Sequence, residues 1–289
     1  MQAPQTHWLR KTLFQIHLWT GISLGLYVLT ISITGSAILL QPSIVRLFTP
    51  SNLAPVETSV LNEQALQDRI AEVYSEYEVY FVLPSNGPER ATYVVLNKDG
   101  GVFPRYFNQF TGEDLGPSNP WPVRSFEWLV NVHDDLLMGK KGRKLNGLGG
   151  VVFLLMALTG SIIWWQGRLR WKDSLQIKRN SSRSFNWQLH SFIGFWSLFL
   201  MFSWGLSGAY LGFPKPFNYL MDWFDSDLAD FERPNAWLKF VMNIHFARFG
   251  EGAWGRGIWI ILGLLPTVMV VSGFIIWWKR VVMKINSEA

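Results

Sequence analysis

The sequence predicts a membrane protein. It reads as an all-α four-helix bundle of two similar halves, with both termini in the cytoplasm and a small α+β module carried outside the membrane. Three observations predict this. Four stretches stay apolar over about the 20 residues that a bilayer crossing needs, and none contains Asp, Glu, Lys or Arg. A pattern of Gln, His, Gly and Trp recurs in the two halves. The basic residues gather in alternate loops, which sets the orientation of a membrane chain.

The elements follow in order. Residues 1–11 form a cytoplasmic N-terminus with Arg10 and Lys11. The first spanning helix covers 12–40. Its apolar run is far longer than a signal-peptide core and no small-x-small site follows it, so it reads as an uncleaved helix. An extracytoplasmic insert fills 41–146. Within it, "LNEQALQDRIAEVY" (61–74) has helical spacing at Leu61, Ala65, Leu66, Ile70 and Val73. "YEVYFVL" (77–83), "ATYVVLN" (91–97) and "VFPRYFNQF" (102–110) read as strands, and "TGEDLG" (111–116) as a turn. These lie in a module of about 55–120, and a short helix of about 124–138 then carries His133. The second spanning helix is 147–166, the cytoplasmic loop 167–185, and the third helix 186–213. An outer loop of 214–256 carries His245. The fourth helix is 257–279 and the cytoplasmic tail 280–289.

The charges fix the side. Arg10, Lys11, Arg168, Arg170, Lys172, Lys178, Arg179, Arg183, Lys279, Arg280 and Lys284 lie in the three inner segments, against only Asp173 and Glu288. The net charge of +5 is therefore topological and gives no argument for nucleic acid. The 289 residues include no cysteine. That excludes disulfides, thiolate iron–sulfur ligation, Cys-ligated zinc and c-type haem attachment.

The repeat is the strongest signal. An offset of 173 places Gln15-x-His17 on Gln188-x-His190, Gly21 on Gly194, and Thr34-Gly35 on Ser207-Gly208. An offset of 112 places Asn131-Val132-His133 on Asn243-Ile244-His245. One residue further, Gly142-Arg143 falls on Gly255-Arg256, Gly160 on Gly273, and the run 162–165 on 275–278. Halves of the same topology are related by a pseudo-two-fold axis along the membrane normal.

Four of the five histidines belong to this pattern. His17 and His190 sit near the inner starts of their helices, while His133 and His245 precede outer ends. Symmetry brings each to its copy at one depth. Two neutral imidazoles facing each other in a helical bundle are what a b-type haem requires, so His17–His190 and His133–His245 predict two haems b stacked across the membrane. Gly21, Gly194, Gly160 and Gly273 would leave room for the inner macrocycle, and Gly35 and Gly208 for the outer one. Arg143 and Arg256 would pair with outer propionates. Plainer readings stand beside these. A single His at a helix end is more often an interfacial polar residue. The glycines equally serve helix packing, and the arginines anchor headgroups. Asn131, Asn243, Gln15 and Gln188 orient the imidazoles or cap helices. The Trp pairs read as an aromatic belt at the lipid interface. Zinc suits the same histidines, but Phe246 stands where a second Asp134 would be.

These residues carry a resemblance. "HWLRKTLFQIHLWTGISLGLYVLTISITGSAILL" resembles the first helix of the PepSY-associated transmembrane family. "YFNQFTGEDLG" is similar to the end of the PepSY module, and "VNVHDDLLMG" with "GLGGVVFLLMALTGSIIWW" resembles the next helix. The resemblance implies a bacterial inner-membrane haem protein with a periplasmic module, sometimes linked to reduction of ferric siderophores. On that reading electrons come from quinol or a cytoplasmic flavin reductase and leave to a ferric chelate in the periplasm. No catalytic acid, base or nucleophile is evident. The rival expectations are a non-redox protein that binds or regulates a periplasmic peptidase, and a subunit donating electrons to another reductase.

Overall fold

A computed structural model describes residues 4–50, 59–83, 90–166, 182–224, 236–250 and 252–288. The basic residues Arg168, Arg170, Lys172, Lys178 and Arg179 of the predicted inner loop lie outside the described residues. So do positions 55–58 and 84–89 of the module and positions 225–235 and 251 of the 214–256 loop.

In chain order the elements are α1 (Pro4–Ile38), α2 (Gln41–Phe48), α3 (Glu63–Val73), β1 (Glu78–Leu83), β2 (Thr92–Lys98), β3 (Gly101–Phe107), β4 (Asp114–Pro117), α4 (Trp121–Asp135), α5 (Lys140–Gln166), α6 (Ser182–Trp196), α7 (Leu198–Gly212), α8 (Pro214–Phe224), α9 (Ala236–His245), α10 (Gly252–Gly263) and α11 (Leu265–Glu288). They divide into two compact units, Leu40–Trp128 and the remainder.

The smaller unit is an antiparallel sheet in the order β1-β2-β3-β4, covered on one face by α3. Asn62 starts α3 by accepting the Ala65 N–H at 2.8 Å, which satisfies one of the free donors of the first turn. Leu66 and Ile70, one turn apart, then meet Val94, Leu96 and Phe107 in a fully buried core. Each such side chain contributes about 1.5–3 kcal/mol by leaving water. The expected turn at 111–116 is shorter than its sequence suggests. Asn108 Oδ1 accepts the Phe110 and Thr111 N–H groups, Gly112 supplies φ +71°, and the chain resumes as a fourth strand at Asp114. Arg105 on β3 fixes that strand through a bidentate pair with Asp114, at 3.0 and 2.5 Å. Tyr74 also donates its hydroxyl to Asp114.

In the larger unit Trp8–Ile38, Lys140–Trp165 and Gly252–Val281 are long and apolar enough to cross a membrane. The third expected helix is not one rod. It breaks at Ser197 into α6 and α7, bent by 65°. The cause is local: the buried Ser197 hydroxyl donates to the Ile193 carbonyl at 2.5 Å, a back-bond that bends helices. The fourth is interrupted at the single residue Leu264, two positions before Pro266, whose ring nitrogen cannot donate within the helix.

Close packing holds these helices. Gly147 and Gly150 on α5 face Gly205, Gly208 and Gly212 on α7, so the two backbones touch; a Cβ on Gly150 would stand 2.6 Å from the Ala209 nitrogen. Small residues permit such approach where lipid offers no hydrophobic drive. Ser32 on α1 donates to the Gly263 carbonyl at 2.6 Å, and Gly25 meets Val270. The Arg280 guanidinium lies 5.3 Å over the Phe14 ring, which puts the end of α11 beside the start of α1.

Candidate functional site

Four helices of the larger unit bring the repeated histidines together in two pairs. His17 on α1 faces His190 on α6, with ring centres 6.4 Å apart and planes at 85°. His133 on α4 faces His245, the last residue of α9, at 6.2 Å and 54°. A metal–imidazole bond of about 2.0–2.1 Å, plus about 1.2 Å from nitrogen to ring centre on each side, spans about 6.4 Å. The rings of each pair are thus far enough apart for one ion to lie between them. Among the described residues no group of three or more His, Cys, Asp or Glu could hold a metal ion.

Each imidazole Nδ1 is placed by a helix-borne hydroxyl. His17 pairs with Thr159 at 3.1 Å, His190 with Ser272 at 3.0 Å, His133 with Thr34 at 3.3 Å and His245 with Ser207 at 2.6 Å. All four hydroxyls point their own protons at a carbonyl one turn back: Thr159 at Leu155, Ser272 at Met269, Thr34 at Thr30, Ser207 at Trp204. A hydroxyl so engaged can only accept from the ring. Where Nδ1 donates to such a hydroxyl, Nε2 keeps its lone pair. His133 Nδ1 also lies 3.0 Å from the Ile31 carbonyl, which fixes the same tautomer. His133 and His245 lie outside the four apolar spans. Burial pushes both below the ordinary imidazole value, and His245, which also faces His133, reaches about 4. Both are neutral at pH 7.

The glycines stand where side chains would collide with the rings. A Cβ on Gly35 would lie 2.7 Å from His133 Cε1, one on Gly160 3.1 Å from His17 Cε1, and one on Gly273 3.3 Å from His190 Cε1. Gly21 and Gly194 instead face the methyls of Met156 and Met269, at 3.4 and 3.1 Å. Gly208 touches Gly150 of α5 and serves the helix crossing. A cavity of about 1080 Å³ surrounds the His17–His190 pair, bounded by apolar residues of α1, α5, α6, α7 and α11. From His17 to Gly35, the level of the second pair, α1 rises about 27 Å, close to the thickness of a hydrocarbon core.

The arginines behave differently. Arg143 forms an ion pair with Asp134, beside His133. Arg256 is half-buried on α10. Gln15 accepts the Trp19 indole N–H rather than an imidazole. The orienting residues that the sequence reading missed are Thr34, Thr159, Ser207 and Ser272. Their signal was present: each directly precedes one of the repeated glycines, Gly35, Gly160, Gly208 and Gly273.

The apolar helices and the paired histidines define a membrane protein with two repeated histidine pairs. The model of the PepSY-associated TM region family matches residues 14–237 and 225–280, and the chain belongs to that family. It is also similar to an uncharacterized protein of Pseudomonas aeruginosa, 34% identical over 89 residues, which is 30% of this chain and 22% of that relative.

Proposed function

We propose that the protein is a di-haem b-type electron carrier of a bacterial cytoplasmic membrane. Its two halves are related by a pseudo-two-fold axis, both termini are cytoplasmic, and the α+β module is periplasmic. The observation that carries this reading is the geometry of the four histidines: two pairs with ring centres 6.4 and 6.2 Å apart, each Nδ1 held by a helix-borne hydroxyl. Two imidazoles would suffice to hold the iron of a tetrapyrrole, because the macrocycle supplies the remaining nitrogens. The glycines beside the rings leave the room that a Cβ would fill. A haem b bound in each site supplies one-electron exchange between ferric and ferrous iron.

His17 and His190 would hold the inner haem, His133 and His245 the outer one. Thr159, Ser272, Thr34 and Ser207 keep each ring in its ligating tautomer and orientation, as outer-shell partners of metal-bound histidines do. The apolar wall of the inner cavity excludes water. Electrons enter from quinol or a cytoplasmic flavin reductase and leave to a periplasmic ferric siderophore or other ferric chelate. The net reaction there is one electron per Fe(III) reduced to Fe(II).

The test is a reduced-minus-oxidised absorption spectrum of the purified protein, with haem quantified per chain. The expected result is a b-type spectrum at about two haems per chain. His17→Ala and His133→Ala each remove about half, from components of different potential. A folded, haem-free protein refutes the reading. A second reading rests on the edge strand β1, where Tyr80, Phe81 and Leu83 are exposed. Such an edge suits strand addition by a partner, such as a periplasmic peptidase. A haem-free protein that retains a partner through β1 would favour it.

A further inference from the structure

Among the described residues that line the inner cavity, Arg10 carries the single formal charge. Trp164 lines the same cavity, and its indole Nε1–H is buried with no hydrogen-bond partner. Arg10 is exposed, whereas the Trp164 donor is buried; an unmet buried donor forfeits its hydration, so a cation and an unspent donor on one apolar wall suit an acceptor.

The two groups lie toward one end. Arg10 precedes His17 by two helical turns on the same face of α1, about 10 Å away along the axis. Trp164 follows Gly160 by one turn on α5. The two helices run antiparallel, because His17 abuts Gly160 and Gly21 abuts Met156. Trp164 is therefore displaced from the imidazole pair in the same direction as Arg10, toward the start of α1. Both positions recur in the repeat: Arg10-x6-His17 matches Arg183-x6-His190, and Trp164 matches Trp277.

We propose that Arg10 and the Trp164 N–H bind a carboxylate of the ligand seated between His17 and His190. That carboxylate arm then points to the end of the site where α1 begins. This rests on the haem reading of that pair. It adds the orientation of the group, with its propionate edge turned away from the His133–His245 pair. A guanidinium and an indole N–H suit one carboxylate, because both donate and neither accepts.

The test separates the two readings. Apo-protein carrying His133→Ala, which leaves only the inner pair, is titrated with iron protoporphyrin IX and with its dimethyl ester. The diester keeps the ring and the iron but has no charged arms. The unaltered cavity is expected to favour the free acid by about tenfold or more. Arg10→Gln and Trp164→Phe should each lower that preference several-fold, and Arg10→Lys should restore part of it. The ratio is internal to each variant, so a general loss of affinity does not imitate the effect. An equal affinity for acid and ester, or a preference unchanged in both variants, overturns the proposal while leaving the ligands intact. If neither form gives a bis-imidazole spectrum, the haem reading falls and takes this one with it. In the full chain the same variants are read through the pH dependence of the midpoint potential that His17→Ala removes. A dependence unaltered by Arg10→Gln likewise overturns the proposal.

Discussion

Replacing Gly35 by alanine is the sharpest single perturbation. The new Cβ would stand 2.7 Å from His133 Cε1 and 3.1 Å from Nδ1. Favourable carbon contacts begin at about 3.5 Å, so the ring must withdraw by about 0.8 Å. Two hydrogen bonds oppose that movement, from Nδ1 to Thr34 and to the Ile31 carbonyl. Their loss costs about 1–3 kcal/mol together, while alanine in a helix returns roughly 0.5–1 kcal/mol relative to glycine. Folding should therefore change little. A metal bond of about 2.0 Å tolerates far less than the required shift, so the His133–His245 site should lose its ligand. Gly208→Ala is the control, because its Cβ would meet only Gly150 Cα, at 3.7 Å. The assay is haem content together with the potentiometric profile, taken beside a thermal melt of the solubilised protein. Gly35→Ala should lose one component with nearly unchanged melting, Gly208→Ala neither. A Gly35→Ala protein that keeps both components at unshifted potentials would refute the reasoning.

Three further outcomes are expected. Ser207→Ala removes the hydroxyl partner of His245 Nδ1, and should shift the potential of the outer component and weaken its haem by about tenfold; Ser207→Thr should restore both, and an unshifted potential in Ser207→Ala contradicts the tautomer argument. Ser197→Ala deletes the back-bond at the α6–α7 bend and should raise protection from amide exchange at the break, since the carbonyl of Ile193 regains an undivided partner; mass-spectrometric exchange across 190–205 measures it. Asp114 links the module to pH. Burial by itself would raise its carboxyl, but Arg105, Tyr74 and the Gly116 N–H outweigh burial and hold it below the ordinary carboxylate value. Its stabilisation is therefore complete above pH of about 4 and fades as pH falls through the lowered folded value. Asp114→Asn should cost about 1.5–3 kcal/mol at pH 7 and flatten that acid dependence; exchange protection of β3 between pH 3 and 7 is the readout.

Much of this structure was legible because it depends on period and repetition. The helix at 63–73 lies within the stretch whose apolar spacing announced it, and β1, β2 and β3 fall within a few residues of their alternating runs. The fourth strand was not legible, because "TGEDLG" carries turn residues and its pairing depends on Arg105, nine positions earlier. Nor was the bend at Ser197: nothing in "FWSLFL" is less apolar than its surroundings, and the hydroxyl acts only once it is buried against a carbonyl. The four orienting hydroxyls lay in view within repeated [TS]-G pairs. The amides Asn131, Asn243, Gln15 and Gln188 look like better hydrogen-bonding groups and mask that signal. On a helix, however, an imidazole packed against a neighbour meets the short side chain beside a glycine first, because only there do the two backbones come close enough.

The geometry also explains why the repeat matters more than any one histidine. His17 is braced by Thr159 and Gly160, and His133 by Thr34 and Gly35, all from the first half. His190 is braced by Ser272 and Gly273, and His245 by Ser207, all from the second. Each half thus supplies one histidine and its support to each pair, and neither half completes a pair. Ligand spacing is set where the halves meet, at the glycine crossing of α5 with α7 and the contacts of α1 with α11. A bulky residue at that crossing should therefore act on both sites at once while touching neither. Gly150→Leu, whose side chain would enter the backbone of α7 near Gly205 and Ala209, is expected to lose both spectral components together. Loss of one component alone would mean that each site keeps its own spacing, and the halves would then be independent scaffolds rather than complementary ones.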